Sequence, residues 1–460
     1  MPRAHLLVAA ATLAACAGCR DDVVIDNFAV VADVPALPNR DLDILFVIDN
    51  SPSMASKQLA LAQNFPRMLD RLASLDGGLP DLHVGVVTSD MGTSADLTAP
   101  TPNVGQPGIS GGCGGVGDDG ALHVGTAELT GGLTYISDVA SADGTTRDRN
   151  YTGALGDVFS ALATVGEQGC GYEQHLRAMR RALTNPRNAG FVRPTANLAV
   201  VFVADEDDCS LSDASLFDPN NGPALGPMAS YRCTRFGIRC DPDDPTVPHA
   251  LAACGPRADS PYVDDVQPFV DFLTRFKADP RMVMVSAIVA DPSPVATEMR
   301  APAAGAPPEI ALAHACAFVE SDGTPAVADP AVRLAAFLDG FPDRSTLTSI
   351  CSADLGDPLA TVGASARRLV GDPCLAAPAL ADTSPAPGLQ PVCHVLDMRA
   401  AGPTGGLPIP PCSATVSDNC YAFVADATAC PAAPGHLRLV RRRSSAGAAD
   451  EWTEVRCKLP

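Results

Sequence analysis

Asp49, Ser51 and Ser53 lie within five positions of one another in the stretch DILFVIDNSPSM, where they end an apolar run. A carboxylate and two hydroxyls are hard oxygen donors of the kind that Mg²⁺ and similar cations prefer. An aspartate or a serine before a helix is also typical of an N-terminal cap, which is a purely structural role. Taken alone, this cluster predicts either a divalent-cation site or a helix cap.

A second acidic group follows another apolar run. Asp205 ends the stretch LAVVFVAD and is followed by three more acidic residues, and Asp90 comes just after a further apolar run. In an open parallel sheet, ligands gather outside the carboxyl ends of the strands, and strands distant in sequence can be neighbours. We therefore expect Asp49 and Asp205 to face one site, which favours the cation site over the cap.

The elements that would position these residues alternate along the chain. Runs rich in Val and Ile predict buried strands at 44–49, 83–89, 198–204, 282–289 and 346–350. Apolar residues at helical spacing predict helices at 56–75, 172–183, 263–276, 332–341 and 358–370. This alternation predicts an α/β fold with a doubly wound, mostly parallel sheet.

Two stretches interrupt the alternation, and the character of the chain changes near its end. Residues 91–150 are rich in Gly, Thr, Ser and Asp, and residues 209–261 hold four cysteines, so both are interpreted as insertions pinned by disulfides. Residues 373–460 hold six cysteines and short strand-like runs. We predict one domain over 41–372 and a small Cys-rich β module over 373–460, or else an extension wrapped on that domain.

The cysteine content indicates an oxidising compartment. The chain has 16 cysteines, and fourteen remain when Cys16 and Cys19 near the N-terminus are set aside. An even number in an exported chain is typical of disulfides. Zinc is the alternative, but no C-x2-C pair occurs among the fourteen. Disulfides are therefore favoured, with a connectivity that spacing does not give.

The first residues, MPRAHLLVAAATLAACAGC, resemble a bacterial export signal. Arg3 precedes an apolar run of about ten residues, which is too short to span a bilayer as a helix. The run ends in Leu-Ala-Ala-Cys, which resembles a lipobox with Cys16 as the lipidated residue. We predict a signal peptide over 1–15, a tether over 16–40 and lipid anchoring, with the outer membrane preferred. An ordinary secretory signal is the alternative.

Composition limits the classes of partner. The net charge of −21 repels phosphate backbones, so nucleic acid is not expected as a partner. Apolar residues make up 46% of the chain, enough for a sizeable core. No other segment is apolar over 18 residues, so membrane contact is expected through the lipid anchor only.

With its two strand-end acidic motifs and the stretch GCGYEQHLRAMRRAL, the chain resembles a von Willebrand factor type A (VWA) domain over residues 40–372. More narrowly, it is similar to bacterial VWA lipoproteins. The resemblance implies a metal-ion-dependent adhesion site in which Ser51 and Ser53 bind Mg²⁺, Mn²⁺ or Ca²⁺ directly. Asp49 and Asp205 would act through water or as nearby charges. A carboxylate from a protein or surface ligand would complete the coordination.

One departure from the family pattern concerns a threonine ligand. The corresponding loop reads GEQGCGYEQ and places Cys170 or Gly171 at that position, and neither side chain is a hard oxygen ligand. Glu173 is the nearest side chain that could substitute, although a glutamate there also suits the first turn of a helix. Asp90 is a further candidate at the same edge. A site that lacks its fifth group would bind a cation weakly.

Other motifs do not predict catalysis. GISGG at 108–112 matches G-x-S-x-G around Ser110, but its flanks are rich in Pro and Gly instead of forming a strand and a helix. We therefore expect a binding protein of the cell envelope and no enzyme. The alternatives are a structural envelope scaffold with a degenerate metal site and, less favoured, a secreted serine hydrolase that uses Ser110.

Overall fold

The structure is a computed structural model that describes residues 28–460, apart from 37–38, 76, 94–112, 219, 221, 227–228, 244–245, 303–304, 376, 378, 400–405, 431–432, 446 and 449. The predicted signal peptide, Cys16 and Ser110 lie outside the described residues. No helix in the described part is long and apolar enough to cross a membrane.

The elements follow one another along the chain with short 3-10 turns between some of them. The strands are β1 (Phe28–Pro35), β2 (Asp41–Ile48), β3 (Asp81–Thr88), β4 (Ile136–Ala140), β5 (Arg147–Arg149), β6 (Asn197–Val203), β7 (Ile238–Asp241), β8 (Ala250–Pro256), β9 (Val283–Val289), β10 (Val295–Arg300), β11 (Glu309–Leu312), β12 (Cys316–Val319), β13 (Pro325–Ala328), β14 (Ser345–Ser349), β15 (Cys393–Arg399), β16 (Leu407–Pro408), β17 (Cys420–Ala425), β18 (Leu437–Arg442) and β19 (Glu451–Lys458). The helices are α1 (Ala55–Ala73), α2 (Leu155–Ala163), α3 (His175–Thr184), α4 (Gly222–Leu225), α5 (Tyr231–Gly237), α6 (Gln267–Thr274), α7 (Val332–Asp339) and α8 (Gly356–Leu369).

The largest sheet is mixed. Its strand order is β14-β9-β6-β2-β3-β4-β5. The strands from β14 to β3 pair in parallel, whereas β4 and β5 are added antiparallel at the edge beyond β3. The five predicted strands are confirmed within three residues at either end. Four of them, β2, β3, β6 and β9, are buried along nearly their whole length, which explains their continuous apolar pattern, whereas β14 is partly exposed.

The predicted fold class is nevertheless wrong. The described chain has several antiparallel sheets beside the mixed one, with the orders β1-β19-β15-β16, β11-β10-β8-β7, β12-β13 and β17-β18, so it is not a doubly wound, mostly parallel α/β fold. Most of these strands are short and partly exposed. Such strands need no continuous apolar run, and for that reason the sequence pattern did not reveal them.

Two hydrophobic cores cover the faces of the mixed sheet. Alternate residues of β2 enter opposite cores: Phe46 packs in the core with α1, α2 and α8, whereas Leu45 packs in the core with α3, α6 and α7. Both side chains are fully buried. Burying a side chain of this size contributes roughly 1.5–3 kcal/mol relative to exposure. The two cores therefore fix the position of β2 and of the residues that follow it.

Seven disulfides confirm the predicted use of the cysteines. They are Cys113–Cys170, Cys209–Cys233, Cys240–Cys254, Cys316–Cys351, Cys374–Cys430, Cys393–Cys457 and Cys412–Cys420. They account for all fourteen cysteines after Cys19, and such density is typical of proteins exported to an oxidising compartment.

The C-terminal cysteine-rich segment includes a strand from the other end of the chain. Residues 28–35, within the predicted tether, form β1 and pair antiparallel with β19. The disulfide Cys393–Cys457 joins β15 to the other side of β19. The domain boundaries given above stay predictions.

The burial of Asp33 on β1 can be tested through the pH dependence of the free energy of unfolding. Burial raises the pKa of Asp33 from its ordinary value of 3.8 to about 6, against the opposing attraction of Arg281. The folded chain thus holds this proton more tightly than the unfolded chain, and ionised Asp33 destabilises the fold above pH 6. Asp33→Asn should raise the free energy of unfolding at pH 7.5 by about 1 kcal/mol, below the full linkage value of about 3 because solvent screens this half-buried group. Urea denaturation should show the gain shrinking to nothing by pH 4.

Asp143 is the control of opposite sign. Hydrogen bonds from the Ser141 hydroxyl and the Thr145 amide lower the pKa of Asp143 to about 2. Asp143→Asn should therefore lose stability at pH 7.5 and show no gain. A gain for Asp33→Asn that persists unchanged at pH 4 would contradict the burial of an ionised Asp33.

Candidate functional site

The carboxyl ends of β2 and β6 meet at one edge of the mixed sheet. The two strands are parallel neighbours, with Ile48 opposite Val203, so the chain leaves both at the same level. The amide of Asp49 donates to the Val203 carbonyl at 3.0 Å. Asp49 and Asp205 therefore emerge side by side.

The two serine hydroxyls link the loop after β2 to Asp205. Ser51 Oγ lies 3.1 Å from Ser53 Oγ, which donates to Asp205 Oδ1 at 3.1 Å. Neither serine caps the 3-10 turn Pro52–Met54 or α1 through its side chain. The structure thus brings Ser51, Ser53 and Asp205 together, and the helix-cap interpretation of the serines is wrong.

Asp49 is fully buried behind the serines. Its Oδ1 accepts a hydrogen bond from the Ser51 amide at 2.7 Å, whereas Oδ2 has no hydrogen-bond partner among the described residues. Burial, and then the negative charge of Asp205, raise the pKa of Asp49 well above its usual range. A buried carboxylate oxygen without a partner is costly, so this position favours a positive charge close by.

One positive charge at the site comes from Lys57, which sequence analysis missed. Its Nζ lies 3.0 Å from Asp205 Oδ2 and donates to the Ser53 carbonyl at 3.1 Å. The side chain is 2% exposed. Its position in the sequence could have indicated this role. Lys57 lies four residues after Ser53, on the first turn of α1, and residues four apart lie on the same side of a helix.

Glu173 and Glu206 form a second acidic group beside this edge. Each of the two carboxyl groups acts on the pKa of the other, and Glu173 Oε1 has no hydrogen-bond partner among the described residues. Burial, and then the charge of Glu206, raise the pKa of Glu173 well above its usual range, and burial raises the pKa of Glu206 to about 8. Both groups line a cavity of about 250 Å³ together with Asp329.

The loop before α3 is held in place by covalent and backbone contacts. Cys170, which with Gly171 is one of the two candidates for the position of the expected threonine, is bonded to Cys113, so its sulfur is not a free ligand. The Gly169 amide donates to the Asn50 carbonyl at 3.0 Å, and a Cβ on Gly169 would lie only 2.2 Å from the Asn50 side chain. The loop therefore packs against the Asp49 loop, and neither Gly169 nor Cys170 offers a hydroxyl.

Gln58 on α1 ties the same two loops together. Its Nε2 donates to the carbonyls of Asp49 and Gly166 at 3.0 and 2.9 Å, and its Oε1 accepts from the Gly166 amide. Gln58 is 1% exposed. This positioning residue was also missed, because nothing in a single glutamine signals which carbonyls it will meet.

Asp90 lies in the neighbouring loop. Its Oδ1 accepts from the Gly92 amide at 2.8 Å, and burial raises its pKa to about 6. The backbone of Cys170 also donates to it. In the described residues no contact joins Asp90 to Asp49 or Asp205, so the structure does not bring it into the serine cluster.

The acidic run after β6 divides into separate roles. Asp207 accepts from the amides of Arg333 and Leu334 at the start of α7. Asp208 accepts from the Leu176 amide at 2.9 Å at the start of α3 and pairs with Arg333 at 3.0 Å. Asp205 alone contacts the serine cluster, and the two later aspartates hold helices.

The distances between the oxygen atoms of Ser51, Ser53 and Asp205 indicate whether a small cation would fit between them. Adjacent ligands of an octahedral ion with bonds of about 2.1 Å lie about 3 Å apart. The spacings from Ser51 Oγ to Ser53 Oγ and from Ser53 Oγ to Asp205 Oδ1 are both 3.1 Å. Groups of three or more His, Cys, Asp or Glu side chains that could hold a metal are absent from the described residues. A cation here would depend on the serine hydroxyls, and the spacing of these donors fits one.

Comparison with known proteins adds little. No protein-family model matches the chain, and no curated protein matches it. Solved structures that match include the pilus adhesin SpaC from Lactobacillus rhamnosus GG, with 9% identity and a TM-score of 0.31 over 93% of this chain and 40% of that one. The conserved hypothetical protein BatB from Bacteroides thetaiotaomicron matches with 7% identity and a TM-score of 0.26 over 71% and 98% of the two chains.

The pilus adhesin RrgA from Streptococcus pneumoniae matches with 12% identity and a TM-score of 0.28 over 94% of this chain and 58% of that one. The chain thus spans less than two thirds of both adhesins. At these identities and TM-scores, nothing about fold or function is concluded from the neighbours.

The division of the acidic run predicts a stability effect. Asp208→Asn should lower the free energy of unfolding by about 2–4 kcal/mol, because Arg333 is 1% exposed and would lose its buried carboxylate partner. Urea denaturation at pH 7 measures the loss. Asp213→Asn, at an exposed turn, is the control and should change stability by less than about 0.5 kcal/mol. Equal effects of the two substitutions would contradict the structural role of Asp208.

Proposed function

We propose that this chain is a cell-envelope lipoprotein whose VWA-type domain binds a protein or surface ligand with the help of a divalent cation. The observation that carries the proposal is the contact chain from Ser51 through Ser53 to Asp205, beside the unpartnered buried oxygen of Asp49. The proposed task is binding and involves no catalysis.

Each residue of the site has a distinct part in this proposal. Ser51, Ser53 and Asp205 would hold the cation, Mg²⁺ by the hardness of the donors or Mn²⁺ or Ca²⁺ in its place. Asp49 positions Ser51 through the backbone hydrogen bond and balances charge through its free oxygen. The bound ion would supply the positive charge that attracts a carboxylate of the partner. Glu173 and Asp90 lie outside this donor set.

The surface around the site suits contact with a partner. Ser53 is exposed, whereas Ser51 and Asp205 are buried, so an approaching ligand would meet Ser53 first. The hairpin of β12 and β13 lies beside the site, since Phe318 is 5.7 Å from Lys57 Nζ. Its neighbour Val319 is 61% exposed, which is high for a large apolar side chain. Because successive side chains of a strand point to opposite faces, Val319 points away from Lys57 and lies on the outer face of this hairpin.

The envelope location rests on separate support. The seven disulfides indicate an exported protein. Lipidation of Cys16 and the outer membrane as destination are proposed from the N-terminal sequence alone.

One observation favours a second candidate function. Lys57 already provides Asp205 with a positive charge, and Cys170 or Gly171 occupies the position at which the threonine is expected. Both features suit a structural envelope scaffold whose metal site is degenerate. Measurement of cation binding distinguishes the two candidates.

Isothermal titration calorimetry of the wild-type chain should show binding of Mg²⁺ or Mn²⁺, with Ca²⁺ as the third ion tested. The double variant Ser51→Ala, Ser53→Ala should lose at least about tenfold in affinity, because it removes the two hydroxyls that would bind the ion directly. Ser56→Ala, on the next turn, is the matched control and should bind as the wild type does. Absence of binding of all three ions to the wild type would refute the cation-assisted function and favour the scaffold.

The anchor is tested by cell fractionation. Cys16→Ser should move the protein from the membrane fraction to the soluble fraction, because it removes the thiol that carries the lipid. Cys19→Ser is the matched control and should stay with the membranes. If Cys16→Ser remains membrane-bound and Cys19→Ser does not, the lipidated residue has been assigned wrongly.

A further inference from the structure

Lys57 is buried at the candidate cation site and surrounded by oxygen atoms. Its Nζ lies 3.0 Å from Asp205 Oδ2, 3.1 Å from the Ser53 carbonyl and 3.9 Å from Glu320 Oε1. The Phe318 ring lies 5.7 Å from the same atom. Two of these three acceptors belong to residues that the proposed cation would also use or adjoin.

We infer that Lys57 is a tethered counter-ion of this site and that it sets the affinity of the site for divalent cations. The inference rests on the proposed function, because it concerns the same donors. Asp205 is shared: its Oδ2 meets the ammonium group, and its Oδ1 meets the Ser53 hydroxyl. An ion held by Ser53 and Asp205 would therefore lie close to the ammonium group and be repelled by it.

The negative charges around Lys57 explain why the site contains a buried cationic side chain. The negative charge of Asp205 raises the pKa of Asp49 and of Glu206, whereas the positive charge of Lys57 lowers the pKa of Glu206. Arg333, a second buried cation near this edge, is engaged by Asp208 and by the carbonyls of Gly237 and Asp264. Buried carboxylates without a compensating charge are strongly destabilising. Lys57 therefore stabilises the site when no metal is bound.

Glu320 offers the ammonium group a second position. It is 4% exposed, and its Oε1 has no hydrogen-bond partner among the described side chains and backbone groups. That oxygen is 3.9 Å from Lys57 Nζ, within reach of a small rotation about the end of the lysine side chain. If a divalent ion bound at Asp205, the ammonium group of Lys57 would move toward Glu320. The unpartnered oxygen of Glu320 is thus accounted for by the same exchange.

Calorimetry with MgCl₂ on the purified full chain tests the inference. Lys57→Met should bind Mg²⁺ at least about tenfold more tightly than the wild type, because one positive charge beside the ion is removed. Lys277→Met is the matched control: Lys277 is also buried and donates to a carbonyl, that of Arg193, but it lies near Asp43, toward the start of β2. That control should bind Mg²⁺ as the wild type does.

The outcomes separate this inference from the proposed function. If the wild type binds Mg²⁺ and Lys57→Met binds it equally or more weakly, the inference is overturned and the cation-assisted function stands. If only Lys57→Met binds, the inference is supported and the cation-assisted function of the wild type fails. If neither binds, both are overturned.

A measurement on the wild type covers the case in which Lys57→Met does not fold. The chain has three lysines, Lys57, Lys277 and Lys458, so a sample with ¹⁵N-labelled lysine should give few side-chain signals. A Mg²⁺ titration should shift the Nζ resonance of Lys57 and leave that of Lys277 in place. An unshifted Lys57 resonance at Mg²⁺ concentrations that saturate the calorimetric signal would overturn the inference, and a lack of calorimetric signal would overturn it together with the proposed function.

Discussion

The repulsion between two buried carboxylates at the ends of neighbouring strands is the constraint that organises this edge of the protein. Asp49 and Asp205 are 0% and 3% exposed, and they follow parallel neighbouring strands that end at the same level. Low-dielectric surroundings make such repulsion expensive unless a positive charge lies close by. Hydrogen bonds from the Ser51 amide to Asp49 and from the Ser53 hydroxyl to Asp205 reduce this repulsion, and so does the ammonium group of Lys57. A divalent cation would serve the same electrostatic need.

Irregular segments around this edge are held by links that do not require regular structure. The disulfide from Cys113 to Cys170 joins two loops, and Gln58 holds two backbone carbonyls from α1. A loop between buried strands must satisfy its own backbone groups, and these contacts do so. Glu173 lies just after this loop and is 1% exposed, and this burial is the main reason that its pKa is raised.

Several parts of the fold could be predicted because burial leaves a direct mark on the sequence. Strands β2 and β6 are apolar at nearly every position, since cores lie on both faces of the sheet. Strands such as β10 and β12 are short and half exposed, and their residues resemble loop residues. Their antiparallel pairing, which changed the fold class, depends on partners that a local pattern does not identify.

The sequence by itself determined the chemistry available at the site: the oxygen donors of Asp49, Ser51 and Ser53, and a further acidic run after β6. It also predicted that the cysteines would pair, because their even number agrees with an N-terminal stretch that resembles an export signal. It predicted as well that Asp205 would face the same site, whereas only the tertiary structure decided where the later acidic residues were directed and which cation balanced the site. Asp205 accepts a hydrogen bond from Ser53, Asp208 pairs with Arg333, and Lys57 pairs with Asp205. The physical reason is that these pairings join residues far apart in the chain, and a charge finds its partner only when packing brings the two within a few ångströms.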